Sequence, residues 1–483
     1  MTAGLGGQAA RGAAVTIAGQ LIRVTSQLLG VVILARLLTP GDFGLVAMVV
    51  AVVGIGEILR DLGLSTSAIQ SKTLSVSQRN NLFWINTGLG LGLSAICAGC
   101  APLIAAIYAE PRLISITLVV APIFLINGLA TQYRASINRG MRFGVLVVID
   151  TAAPTAALAI SIGVAAIYSS YWALVVQILA APLLALVLCI AFERWIPNWY
   201  DRKAPMLSLL TLGGNLAGVQ ILNYVSRNVD AVLVGITGGS AVLGLYDRSM
   251  QLVSQPINQV NQPAAKVALP VLSRLQDDPP KFARFLEQAQ TLLLYPIAAV
   301  LALAFASAGQ IVEILLGPGW EGAVGFVRLL ALGAFFQAAN HIIYLAFTSL
   351  GKGRQLLSYS LTTRPMLIFA VGLGAIWGPV GIASGLAIAL ALMWPIALLW
   401  VRKFPGINSG RLLTNSLRVI AVACAAALAG WLCVQWAPDF SPLLDLAMQA
   451  GVMTAMSAVV ALAWPAVRRD FQSIFNTAKL LRK

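Results

Sequence analysis

Long apolar stretches broken by short polar interruptions run the whole length of the chain. They cover about 12–38, 43–68, 81–109, 112–137, 143–168, 171–193, 207–236, 241–266, 285–311, 322–349, 355–377, 379–401, 412–436 and 442–467. Each is long enough to cross a bilayer core, which takes about 20 mostly apolar residues in a helix. The pattern predicts an all-α integral membrane protein of about 14 transmembrane helices. Interruptions such as Thr39–Asp42 and Thr237–Ser240 read as short hairpin turns.

Composition agrees. The 483 residues are 59% hydrophobic and 10% charged, with a mean hydropathy of +0.86. A soluble protein would carry about 25% charged residues. The first apolar run is too long for a signal-peptide core and is preceded by a single arginine, Arg11, so the first helix is expected to stay in the mature protein.

Charge changes the picture more. There are 32 Lys+Arg against 17 Asp+Glu, a net +15. In a soluble protein that excess would point to nucleic acid, but here it follows the turns. One set is basic, with Lys72 and Arg79, Arg134 to Arg142, Arg194 to Lys203, Arg274 to Arg284, Lys352 and Arg354, Arg402 to Arg411, and the tail from Arg468. The alternate set is short or acidic. Counting Arg11, roughly 22 of the 32 cations lie on the first side, which the charge-bias rule assigns to the cytoplasm. An even helix count then puts both termini there, and no basic soluble domain remains for nucleic acid.

The chain also repeats. At an offset of about 200, Ser26 falls on Ser226, Gly44-Leu45 on Gly244-Leu245 and Arg23 on Asn223. The offset later drifts to about 211, aligning Tyr133, Ala135 and Gly140 with Tyr344, Ala346 and Gly351. Both copies start on the basic side, so the reading is a parallel repeat of two six-helix lobes. The expected organisation is an N-terminal lobe over 1–205, a C-terminal lobe over 206–403, two further helices over 404–468 and a basic tail over 469–483. Such repeats build two-lobed transporters with the substrate site near the midplane.

Five cations sit where no topology rule puts them: Arg23, Arg60, Arg227, Arg248 and Arg364. A charge at the bilayer centre costs at least ~2.5–3.5 kcal/mol, so these must face protein, a polar cavity or one another. Glu57, Arg60 and Asp61 share one helix face, and Arg227 lies three residues before Asp230. Asp247 and Arg248 are adjacent and expected to point apart. Arg23 has no acidic neighbour on its helix; its flanks, including Gln20, Ser26 and Gln27, form a polar patch matched by Asn223 and its neighbours on the seventh segment. An unpaired buried cation calls for an anion, and a guanidinium fits phosphate through two parallel hydrogen bonds. The residues therefore suggest a cationic cavity that moves an anionic substrate, with Arg23, Arg60, Arg227, Arg248, Arg364, Gln20, Gln27 and Asn223 as binding candidates. Glu57, Asp61, Asp150, Asp230 and Asp247 are the candidate carriers of a coupled proton or cation.

What is absent narrows the class. No G-x-x-x-x-G-K-[ST] is present, so ATP is not expected to drive the chain directly. The five cysteines lie in apolar runs, and Cys97 and Cys100 have no second pair or nearby histidine for a metal. The longest outer turn, about 309–321, has no clustered catalytic residues, so an enzyme is not expected.

The stretches RLLTPGDFGLVAM (36–48), DLGLSTSAIQ (61–70), LFWINTGLGLGL (82–93), AAIYAEPRL (105–113), NRGMRF (138–143), NYVSRNVDAVLVG (223–235), LGLYDRSMQL (243–252), LPVLSRLQDD (269–278) and LLGPGWEGA (315–323) resemble lipid-linked oligosaccharide flippases. These are the Wzx, and most closely WzxC-type, branch of the multidrug/oligosaccharidyl-lipid/polysaccharide superfamily. The resemblance covers about residues 10–400. It implies 14 helices, alternating access and transport of undecaprenyl-diphosphate-linked sugar repeat units across the bacterial cytoplasmic membrane. It implies no cofactor beyond a proton or sodium gradient or the membrane potential, and membrane lipids, a polysaccharide polymerase and a chain-length regulator as partners. By position Arg23, Arg60 and Arg248 are similar to cavity arginines on helices 1, 2 and 8 of lipid II flippases. A second arginine those proteins carry on helix 1 is missing, with Leu28, Leu29 and Gly30 in that region. The alternative within the superfamily is a MATE-like multidrug or cation antiporter, which would need an acidic cavity.

Overall fold

The computed structural model describes residues 2–61, 64, 74–436 and 441–480, with side chains at 19, 20, 22–61, 64, 74–206, 224–436 and 441–474. Most of the 61–70 stretch and the Asn223 side chain therefore lie outside the described residues. Among the described residues every regular element is a helix. In the first half these are α1 (Thr2–Leu37), α2 (Pro40–Asp61), α3 (Val76–Gly99), α4 (Ala101–Tyr108), α5 (Arg112–Val120), α6 (Ile123–Arg139), α7 (Phe143–Tyr168) and α8 (Trp172–Glu193). They continue with α9 (Leu207–Arg274), α10 (Pro279–Ala306), α11 (Ala308–Leu315), α12 (Ala323–Ser349), α13 (Gly353–Gly374), α14 (Gly378–Val401), α15 (Ser409–Trp436), α16 (Pro442–Ala463) and α17 (Pro465–Leu480).

Local chemistry sets the breaks. At the start of α2, Thr39 and Asp42 cap each other. The Thr39 amide donates to Asp42 Oδ2 at 2.9 Å and the Asp42 amide to Thr39 Oγ1 at 3.3 Å, with Pro40 at the first helical position. Ser75 and Gln78 form the same box ahead of α3. The expected turn at Thr237–Ser240 is a single non-helical residue, Gly239, at φ 73° and ψ −175°. It divides α9 into arms 207–238 and 240–274, and only glycine takes that conformation without strain.

Eleven helical stretches among the described residues are long and apolar enough to span a membrane. Two of them, Tyr224–Arg274 and Gly353–Val401, run to 51 and 49 residues. Large apolar side chains such as Ile167 (74% exposed) and Phe369 (71%) point outward, as they must where lipid rather than water is the solvent. The protein is a multi-pass membrane protein.

Two compact units divide between Gly244 and Leu245. In the first, α7 packs on α8 and α1, and α6 on α3 and α8. Helices α3 and α6 approach through glycine. A Cβ on Gly90 would meet the Phe124 carbonyl oxygen at 2.5 Å, and one on Gly128 that of Asn86 at 2.6 Å. Small residues that let backbones meet are how membrane helices pack without a hydrophobic driving force between them. Phe83, Tyr133, Ile137, Ile149 and Cys189 form a core, flanked by Trp84 and Trp195. In the second unit α14 packs on α12 and α13, while α10 packs on α12 and α15 and α15 on α16.

Candidate functional site

Arg60 is hydrogen-bonded through both its Nε and its Nη1. One turn apart on α2, its Nε donates to Glu57 Oε2 at 3.0 Å and its Nη1 to Thr131 Oγ1 on α6 at 2.7 Å. The other Glu57 oxygen accepts from Asn127 Nδ2 at 3.0 Å, and the Thr131 hydroxyl donates to the Asn127 carbonyl at 2.7 Å. Four side chains close a network between two helices, with the arginine side chain only 10% exposed. A buried arginine needs this much hydrogen bonding to be tolerated.

Two other acids are also neutralised. Asp150 on α7 pairs with Arg134 on α6. Asp247 accepts from Arg248 Nη2 at 2.9 Å. This corrects the expectation that adjacent residues point apart: the long arginine side chain folds back to reach its neighbour. Asp61 ends α2 half-buried, and Asp230 is buried at 4% exposure. Each of these has a partner, as do Gln20, Arg248 and Arg364. Arg364 is half-buried on α13, ahead of Pro365.

Arg23 stands apart from these. Gly19, Ser26 and Gly30 form the line along which α1 meets α7. A Cβ on Gly19 would meet Val147 at 2.3 Å, Thr155 donates to Ser26 Oγ at 3.3 Å, and Gly30 abuts Leu158. Arg23 lies about 40° round the helix from Gly19, at the edge of that line. It is exposed and has no ion pair among the described residues. Gln27 is exposed one turn on. Arg227 is likewise exposed and without an ion pair among the described residues. Close to it, Tyr224 donates to the Val50 and Ala51 carbonyls of α2 at 3.2 and 3.1 Å, and Ser226 is buried. The geometry thus separates acids held by arginine from two arginines, on α1 and α9, that have no ion pair among the described residues.

A family model described as polysaccharide biosynthesis protein matches residues 33–325. The chain belongs to the polysaccharide biosynthesis protein family. It is similar to lipopolysaccharide biosynthesis protein WzxC of Escherichia coli (strain K12), 22% identical over 73% of this chain and 72% of that protein. Succinoglycan biosynthesis transport protein ExoT of Rhizobium meliloti (strain 1021) is 25% identical over 72% of this chain and 70% of its own. Among solved structures, lipid II flippase MurJ in an inward closed conformation superposes with a TM-score of 0.75 at 13% identity. The match covers 93% of this chain and 99% of that one, and it establishes a shared fold. The family match includes Arg60, Arg227 and Arg248, whereas Arg23 and Arg364 fall outside it.

In this polysaccharide biosynthesis protein the residues that sequence reading missed are the partners. Asn127 and Thr131 are polar at i and i+4 on an apolar helix, the spacing of one helix face, and that signal was available. Arg134 reads from its surroundings as one more basic-turn residue. Only the fold shows that it turns back to Asp150.

Proposed function

We propose that the protein moves undecaprenyl-diphosphate-linked oligosaccharide repeat units across the bacterial inner membrane for exopolysaccharide, capsule or lipopolysaccharide synthesis. The observation that carries this reading is the charge separation. Glu57, Asp150 and Asp247 each hold an arginine, while Arg23 and Arg227 are exposed without an acid among the described residues. A diphosphate is the anion such guanidinium groups would bind. A biosynthesis family and a relative named as a transport protein support the same direction. A multidrug or cation antiporter would instead need free acids facing its substrate.

On this reading Tyr224–Arg274 and Gly353–Val401 each cross twice, because roughly 75 Å of helix is more than two hydrocarbon cores long. With α1, fourteen helices result, and both termini lie on the basic, cytoplasmic face. The cycle is one of alternating access, driven by a proton or sodium gradient or the membrane potential, with Glu57, Asp61, Asp150, Asp230 and Asp247 as the acidic candidates. A polymerase and a chain-length regulator would act on the delivered repeat unit.

The test is transfer of a lipid-diphosphate sugar between leaflets of vesicles holding the purified protein. Arg23→Ala should lower the rate about ten- to hundredfold, the worth of a charge-assisted hydrogen bond. Arg23→Lys should retain part of it. Wild-type transfer by correctly inserted Arg23→Ala protein would remove Arg23 from the site, and no transfer by wild-type protein would overturn the function.

A further inference from the structure

The turn after α12 and the turn after α14 enclose a cavity of about 160 Å³. Lys352, Gln355, Trp400, Lys403, Phe404 and Pro405 line it. Two backbone reversals frame it. Gly351, at φ 65°, closes α12 in the left-handed conformation, and the Lys352 amide reaches back to the Phe347 carbonyl at 2.9 Å. That reversal brings Lys352 to the rim. At the end of α14 the Lys403 amide donates to the Trp400 carbonyl at 3.2 Å, and the Lys403 ammonium sits 5.5 Å from the Trp400 ring.

The floor is aromatic. Phe404 meets Phe347 edge-on at 5.1 Å, and Tyr359 stacks on Phe347 at 5.9 Å and meets Trp400 edge-on at 6.2 Å. The Tyr359 hydroxyl lies 3.4 Å from both Asn340 Oδ1 and the Met393 carbonyl, joining α12, α13 and α14. Neither Lys352 nor Lys403 has an ion pair among the described residues. Both lysines therefore line a preformed, mostly apolar pocket, and neither is paired with an acid among the described residues.

The surroundings say what kind of anion. The cavity lies where α14 gives way to the basic turn of Arg402 and Lys403, one of the turns that the charge-bias rule assigns to the cytoplasmic face. Next to Trp400, Leu399 on α14 is 63% exposed. A ligand with a phosphate at one end and hydrocarbon at the other satisfies both surfaces at once. Basic pockets between transmembrane helices at the cytoplasmic surface recognise lipid headgroups in this way. A cavity of this size suits one phosphate ester and not a sugar chain.

We propose that this cavity binds the headgroup of an anionic phospholipid. The phosphodiester lies between Lys352 and Lys403, and the acyl chains run along α14 past the exposed Leu399. Its lining includes neither Arg23 nor Arg227, and the proposal stands whether or not the transport function holds.

The probe is phosphatidylglycerol brominated in its acyl chains, titrated into the purified full chain in detergent. The signal is the tryptophan quenching lost on Trp400→Phe. Lys352→Gln and Lys403→Gln should each weaken the apparent affinity about fivefold and the pair about thirtyfold, since a cation near an anionic lipid contributes about one such factor. Lys352→Arg with Lys403→Arg should restore binding, and the exposed neighbour Arg402→Gln should leave it unchanged. A melting curve in lipid-free detergent confirms that each variant is folded; if the double variant is not, the two single variants decide. Equal quenching by brominated phosphatidylcholine would overturn the proposal, as would unchanged affinity in the glutamine variants. Displacement by excess inorganic phosphate would make this a soluble-phosphate site and overturn the lipid assignment.

Discussion

Gly44 and Gly244 make reciprocal contacts through backbone. A Cβ on Gly44 would lie 1.6 Å from the Ser240 carbonyl oxygen, and one on Gly244 would lie 1.8 Å from the Pro40 carbonyl oxygen. Each glycine meets the residue four before the other. Both contacts lie within the first compact unit and bring the backbone at Pro40–Gly44 against that at Ser240–Gly244. Because carbonyl backbone cannot swing aside as a side chain can, Gly44→Ala and Gly244→Ala should each destabilise the protein by about 1–3 kcal/mol or more. Gly41→Ala is the control, since its nearest contact is Thr39 Oγ1 at 3.7 Å. Melting temperatures in detergent should fall for the first two and not for the third.

The Glu57–Arg60 network predicts a non-additive pair. Removing either partner alone leaves the other charge buried, at a cost of about 3–5 kcal/mol. Removing both leaves no uncompensated charge. Glu57→Gln and Arg60→Gln should therefore together cost more as separate variants than the double variant does, giving a coupling of about 0.5–3 kcal/mol in a double-mutant cycle read by thermal unfolding. Additive losses would mean that the two charges do not stabilise one another.

A third prediction concerns the segment between α8 and α9. Asn81 holds Asp201 from both sides: its Nδ2 donates to the Asp201 carbonyl at 2.7 Å, and the Asp201 amide donates to its Oδ1 at 2.8 Å. Trp84 donates to the Asn198 carbonyl at 2.9 Å and stacks on Trp199 at 5.6 Å. Gln78 reaches the Pro205 carbonyl at 2.9 Å, and Arg79 lies 3.8 Å over the Trp195 ring. Asn81→Leu keeps the side-chain size but leaves both Asp201 backbone groups unpaired. Limited proteolysis should then cut between 196 and 205 at least several-fold faster than in wild type, while the helices remain resistant.

On α17, Asp470 accepts from the Tyr295 hydroxyl at 3.1 Å and lies 3.5 Å from Arg418. Burial raises its carboxyl above the ordinary 3.8, and the pull of Arg418 in the other direction is weaker. An acid whose folded pKa is raised favours the folded state while protonated. That contribution is whole below 3.8 and is lost as pH rises through the folded value. The stability of wild type relative to Asp470→Asn should accordingly decline as pH is raised from about 4 to about 7. A difference that grows over this range would show that the arginine dominates.

Much of this protein is legible without coordinates. Periodic apolar runs make it a bundle of membrane helices because lipid leaves backbone groups no partner outside the helix. Thr39, Pro40 and Asp42 mark a helix start because capping is local chemistry, and Gly239 falls within the turn Thr237–Ser240. The isolation of Arg23 from acids on its own helix is likewise a matter of one-dimensional spacing. Interhelical partnership is not local. Arg60 meets Thr131 71 residues away, Asn81 meets Asp201 at a separation of 120, and Lys352 meets the Trp400 wall of its cavity only because α12 and α14 pack together. A run of residues determines which groups need a partner. Packing at membrane depth, where an unpaired polar group costs several kcal/mol, decides which partner each one gets.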